Sequence, residues 1–194
     1  MSERAGEVKQ KSELRSDLHE RETDIGKSPG QTACSRKSSN SRLVKSAMRT
    51  HEQTSRCDFI EDDGGRFGSS FMGRTEARDC VVRALTIAAC EDYGVVYAEI
   101  AYLSEQMGGR RSARDGVQPK VYKAWLAHRG FVWTPTMQIG SGCTVHMRPD
   151  ELPSGRLVVR LSGHLCAVID GVIHDTADPS RDGTRCVYGY WRRP

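Results

Sequence analysis

The chain has 194 residues, of which 37% are hydrophobic and 28% charged, and carries a net charge of +4. That length holds one ordinary domain with a tail, and the polar average implies that apolar residues are concentrated in one part of it. No run approaches the roughly 18 apolar residues of a membrane span, and the opening MSERAGEVKQ lacks the apolar core of an export signal, so a cytoplasmic location is expected.

Residues 1–70 contain few large apolar side chains and neither Trp nor Tyr, and Gly and Ser punctuate them often. Such a segment buries too little surface to offset chain entropy, which predicts a disordered N-terminal segment. Within it, Lys27, Arg36, Lys37, Arg42, Lys45 and Arg49 occur with no acid between them. Any nucleic-acid contact is therefore expected only through this basic-leaning tail, although a solvated charge run is the simpler reading. Residues 71–194 form the predicted folded domain.

Three helices come first. ARDCVVRALTIAACEDYG has apolar or small residues at 81, 82, 84, 85, 88 and 89, a stripe at helical spacing that Gly94 is expected to end. A second helix is expected over 95–107, stopped by Gly108-Gly109. Pro119 suits the first turn of a third, KVYKAWLAHRG, with Gly130 as terminator. Short strands follow: FVWTPT, CTVHM, RLVVRLSG, HLCAVI, VIHDT and RCVYGYW, rich in β-branched and aromatic residues. Helices followed by strands predict an α+β domain, a helical layer on an antiparallel sheet.

The stretch GHLCAVIDGVIHDTADPS, residues 163–180, is the most specific. Asp170-Gly171 between two apolar runs is a strong two-residue hairpin signal. It predicts the pairs Ile169–Val172, Val168–Ile173, Ala167–His174 and Cys166–Asp175. His164 and Asp175 then share one face as diagonal neighbours, where the carboxylate fixes the imidazole's tautomer and ring plane. His174 falls on the other face, and Asp178 belongs to a turn beside Pro179.

Seven cysteines, an odd number without a CxxC pair, do not suggest a disulfide framework, and most are expected as free buried thiols. Cys80 differs from the rest because it stands at the start of the first helix, where unpaired N–H groups stabilise a thiolate and a developing oxyanion. Cys90 is expected mid-helix, and Cys166 lies too close to His164 in sequence. Cys143-x-x-His146 with His164-x-Cys166 has the residue types of a zinc site. Its strand parity and spacing are wrong, so neither metal nor organic cofactor is expected.

RDCVVRALTIAA together with GHLCAVIDGVIHDTADPS resembles the papain-like cysteine peptidase superfamily in a compact form. It is similar to C39-like and NlpC/P60-like domains and to small phage-type proteins of that fold. The likeness covers residues 72–192. It implies Cys80 as nucleophile, His164 as general base and acid, and Asp175 as orienting group, in a hydrolase that attacks a peptide or related amide bond through an acyl-enzyme. The resemblance equally accommodates a catalytically inactive binding module or an acyltransferase. One departure is that MGRTEARD before Cys80 holds no Gln to donate to an oxyanion, leaving Arg74, Thr75 or Arg78 as substitutes.

Overall fold

The computed structural model describes residues 56–69 and 78–194. Among these the elements are, in chain order, β1 (Asp58–Glu61), a short 3-10 turn over Arg66–Gly68, α1 (Cys80–Ala89), α2 (Tyr93–Gln106), α3 (Pro119–His128), β2 (Val132–Pro135), β3 (Arg156–Leu161), β4 (His164–Ile169), β5 (Val172–Asp175) and β6 (Gly189–Arg192). The six strands form one sheet in the order β1-β5-β4-β3-β6-β2. The α+β class expected from the chain order is the class observed. The sheet is mixed rather than wholly antiparallel, because β1 runs parallel to β5 while the other pairings are antiparallel.

β1 also moves the start of the folded region. Composition places residues 56–69 in the tail, yet Phe59 pairs with Ile173, Ile60 with His174 and Glu61 with Asp175. Asp62 N–H continues the ladder to Asp175 O at 2.9 Å. Four exposed residues at a sheet edge need no apolar alternation, so their pattern gives no strand signal. The basic run 27–50 lies outside the described residues.

The sheet is covered on both sides. Val158, Leu165, Ala167 and Trp191 face the helices, packing with Val82, Leu85, Val96, Val121 and Leu126. Leu157, Val159, Leu161, Cys166, Val168 and Ile173 face the other way, onto Met147, Leu152, Val187 and Cys57. Burial on both faces explains why RLVVRL and HLCAVI read as apolar runs rather than as alternating strands. CTVHM is not a strand; only a bridge from His146 to Cys186 survives there. A Cys143–Cys186 disulfide closes that region, against the expectation of free thiols.

Local signals set most of the boundaries. Pro119 occupies the first turn of α3. Asp92 caps α2, its carboxylate accepting from the N–H groups of Gly94 and Val95. Gly94 consequently sits inside the first turn of α2 instead of ending α1, and Cys90, left-handed at φ 58°, ends α1. Arg156 of β3 ties that C-terminal end to the sheet, donating from Nε to Ala88 O at 2.9 Å and from Nη2 to Ile87 O. A cation there also complements the helix dipole.

Gly189, at φ 150°, lies where a Cβ would be 2.3 Å from the Trp133 ring and 2.6 Å from Thr134 O. The carbonyl belongs to the β2 backbone and cannot step aside. Gly189→Ala is therefore expected to lower unfolding free energy by about 2 kcal/mol or more through overpacking; urea denaturation checks it, and an unchanged midpoint would show that the Trp133–Gly189 contact is not tight.

Candidate active site

The predicted hairpin forms with its predicted register: Ala167 pairs with His174, Val168 with Ile173 and Ile169 with Val172. Asp170 and Gly171 turn it at φ 50° and 81°, the left-handed pair that a two-residue hairpin requires. His164 opens β4 and Asp175 closes β5. Both side chains therefore reach the same end of the sheet, where the N-terminus of α1 delivers Cys80.

His164 Nε2 lies 2.5 Å from Asp175 Oδ2. The imidazole also lies near enough to Cys80 for each to shift the other, His164 lowering the thiol and Cys80 raising the imidazole. With Nε2 committed to the carboxylate, Nδ1 is the nitrogen left for sulfur, and the tautomer is set by Asp175. The backbone of Leu165, the next residue of β4, also lowers the thiol. Asp79 precedes α1 but its carboxylate makes no capping bond, so the first-turn N–H groups beside Cys80 keep their donor capacity. His174 bonds Asp62 Oδ2 at 3.2 Å on the other face, and Asp178 accepts from Ser180 N–H at 2.8 Å in a turn.

Charge at the site follows from these contacts. Burial pushes the Cys80 thiol up, but the His164 side chain, the Leu165 backbone and the charges of His164 and Arg83 together hold it below its ordinary value of 9.0. Burial pulls His164 down, and its bond to Asp175 and the influence of Cys80 outweigh this and raise it to about 9. Asp175 is pushed up by burial and held low by His164, the Thr176 N–H and Arg83. The thiol is shifted down and the imidazole up, the two directions that favour a thiolate–imidazolium pair. The two other free cysteines behave oppositely. Burial, then the charges of Asp178, Asp58 and Asp150, raises Cys57 to about 11, and fully enclosed Cys166 is raised well above 9.0, again chiefly by burial.

Behind this trio lies a set of buried charges with no motif signal. Arg83, one turn into α1, binds Asp79 through Nη1 and reaches Asp175 Oδ1 at 3.3 Å through Nη2. Arg66 Nε stands 3.3 Å from Asp79 Oδ2, and Tyr93 donates its hydroxyl to that oxygen at 2.6 Å. Arg66 arrives from the loop after β1, which lies so close to α1 that a Cβ on Gly64 would sit 3.4 Å from Arg83 O. Only the i, i+4 spacing of Asp79 and Arg83 was visible as a possible pair; the partners at 66 and 175 are remote in sequence.

Cys143 is consumed by its disulfide and so is unavailable to metal. Among the described residues no cluster of metal-ligating side chains occurs. Arg78 is exposed, and Arg74 and Thr75 lie outside the described residues. No protein-family model, no curated protein and no solved structure matches this chain.

Two outcomes are expected. Arg83→Ala removes the cation shared by two buried carboxylates, leaving Asp79 to Arg66 and Asp175 to His164, and is expected to cost about 3 kcal/mol or more in thermal or urea unfolding; a loss under about 1 kcal/mol would mean that the remaining partners suffice. Under limiting iodoacetamide at about pH 6.5, Cys80 is expected to alkylate first, with Cys57 and Cys166 protected, and His164→Ala to slow it about tenfold or more. Site-resolved mass spectrometry reads this, and equal reactivity of the three thiols would contradict the ion pair.

Proposed function

We propose that the protein is a papain-like cysteine hydrolase acting on a peptide or related amide bond, with Cys80 as nucleophile, His164 as general base and acid, and Asp175 as orienting group. The observation that carries this reading is one imidazole bonded to a buried carboxylate and electrostatically coupled to a thiol at a helix N-terminus. A helix bearing the thiol and packed on a largely antiparallel sheet, with histidine and aspartate on successive strands, supports the papain-like assignment.

In the proposed reaction the Cys80 thiolate attacks the carbonyl carbon and forms a tetrahedral oxyanion. Backbone N–H groups at the start of α1 stabilise that charge. His164 gives its proton to the leaving amine, and the C–N bond breaks to leave a thioester on Cys80. The neutral imidazole then takes a proton from water, whose oxygen attacks the thioester; collapse releases the acid and restores the thiolate–imidazolium pair. Asp175 stays ionised throughout and stabilises the imidazolium. No cofactor enters the scheme, and an amine in place of water would make the same site an acyltransferase.

No helix among the described residues is long and apolar enough to cross a membrane. The Cys143–Cys186 disulfide favours an oxidising setting over the cytoplasmic one expected from the N-terminus.

The test is hydrolysis of a mixed-sequence peptide library read by mass spectrometry. Cys80→Ala and His164→Ala are expected to abolish cleavage while retaining the fold. With a cleaved peptide in hand, kcat/KM is expected to trace a bell, because activity needs Cys80 deprotonated and His164 protonated. The acid limb rises below the thiol's ordinary 9.0, and the alkaline limb falls near 9. Asp175 raises His164, so Asp175→Asn is expected to move the alkaline limb to lower pH. Activity that survives Cys80→Ala would overturn the proposal, and a fold that binds a peptide without cleaving it would favour a binding module.

A further inference from the structure

β3 carries two arginines on the face that meets the helices, with Val158 between them. They end differently. Arg156 spends its guanidinium on the last carbonyls of α1. Arg160 lies toward the other end of the strand, level with the start of α1. Its register partners are Leu165 on one side and Gly189 on the other. Leu165 is the residue whose backbone helps to lower the Cys80 thiol. Gly189 offers no side chain, and the Trp133 ring fills that space. Above the strand stands Tyr122 of α3, packed edge-on against Trp191. Its hydroxyl feels both neighbours, Arg160 drawing its pKa down and Cys80 pushing it up, against a larger upward effect of burial.

The Arg160 side chain is partly buried. Arg66 and Arg83 pair with Asp79, Arg129 with Glu91 and Glu99, and Arg156 with carbonyls. The Arg160 guanidinium makes no hydrogen bond or ion pair among the described residues. A partly desolvated cation with a planar, five-donor fork is matched by a carboxylate, which supplies charge and two acceptors at once.

We propose that Arg160 is the anion-recognising residue of the Cys80 site, selecting substrates that carry a carboxylate on the residue next to the bond that Cys80 attacks. The proposal rests on the hydrolase reading. Directly paired strand residues stand about 5 Å apart at Cα, and a guanidinium on one of them spans roughly the distance from a scissile carbonyl to its neighbour's side chain. An acidic side chain and a chain-terminal carboxylate present the same chemistry to it.

Two alkylating agents of nearly equal size separate this from a general effect on the thiol. Iodoacetate carries a carboxylate and iodoacetamide does not. In the wild-type chain the ratio of their rates at Cys80 is expected to fall about tenfold on Arg160→Gln, with the iodoacetamide rate unchanged. An unchanged ratio overturns the proposal, and so does an equal fall in both rates, which would make Arg160 a support of the thiolate or of the fold. If wild-type Cys80 resists both agents, the hydrolase reading itself fails and takes the subsite with it. Protection distinguishes the sources: acetyl-aspartate amide offers a side-chain carboxylate and acetylalanine a terminal one. The compound that slows iodoacetamide at wild-type Cys80 but not in Arg160→Gln identifies the source, and equal slowing in both chains counts against the subsite.

Discussion

The guanidinium of Arg83 is the interaction on which the rest of the site depends. It joins the residue before α1 to the last residue of β5, two points far apart in the chain, inside a region closed to water. Neither carboxylate tolerates burial alone, and one cation between them, helped by Arg66 on the outer oxygen of Asp79, resolves both. Because Asp175 gives one oxygen to Arg83 and the other to His164, the position of the helix start determines where the imidazole lies. The thiol is on that same helix start. A single buried charge contact therefore sets the distance between sulfur and ring, while Arg156 fixes the far end of the same helix to the same sheet.

The charge balance of this region is close to neutral and is distributed in pairs. Arg66 and Arg83 oppose Asp79 and Asp175, and a thiolate opposes an imidazolium. Moving the proton from Cys80 to His164 leaves the total unchanged, which is consistent with the Cys80 thiol being shifted down while that of Cys166 is shifted up. Cys166 is enclosed by the apolar face of the sheet, and among the described residues no cation hydrogen-bonds it. The same element type, in the same domain, is reactive or inert according to what donates to it.

Much of this was legible from short-range pattern. Asp170-Gly171 determines the hairpin register, the register determines which histidine faces Asp175, and Pro119 marks where α3 begins. These are local rules, each acting over two to four residues. What could not be read depends on distance in sequence. β1 has no apolar alternation because it is an exposed edge, so nothing in DFIE distinguishes it from tail. Arg66 and Asp175 are ordinary charged residues until the fold places them beside Asp79 and Arg83. CTVHM has strand composition, but only Val145 and Met147 bond across to Val187 and Arg185, a bridge too short to make a strand. Gly94 looked like a terminator because glycine usually is one; the capping carboxylate of Asp92 made it a first-turn residue instead.

The disulfide and the candidate nucleophile ask opposite things of their surroundings. In the proposed reaction Cys80 acts only as a free thiolate, the form most readily taken up the ladder of sulfur oxidation. Cys143 and Cys186 hold the loop regions before β3 and β6 only while oxidised. An added thiol protects the first and attacks the second by exchange. The proposed hydrolase is thus suited to an intermediate redox poise, bounded on one side by oxidation of the candidate nucleophile and on the other by release of the two loops.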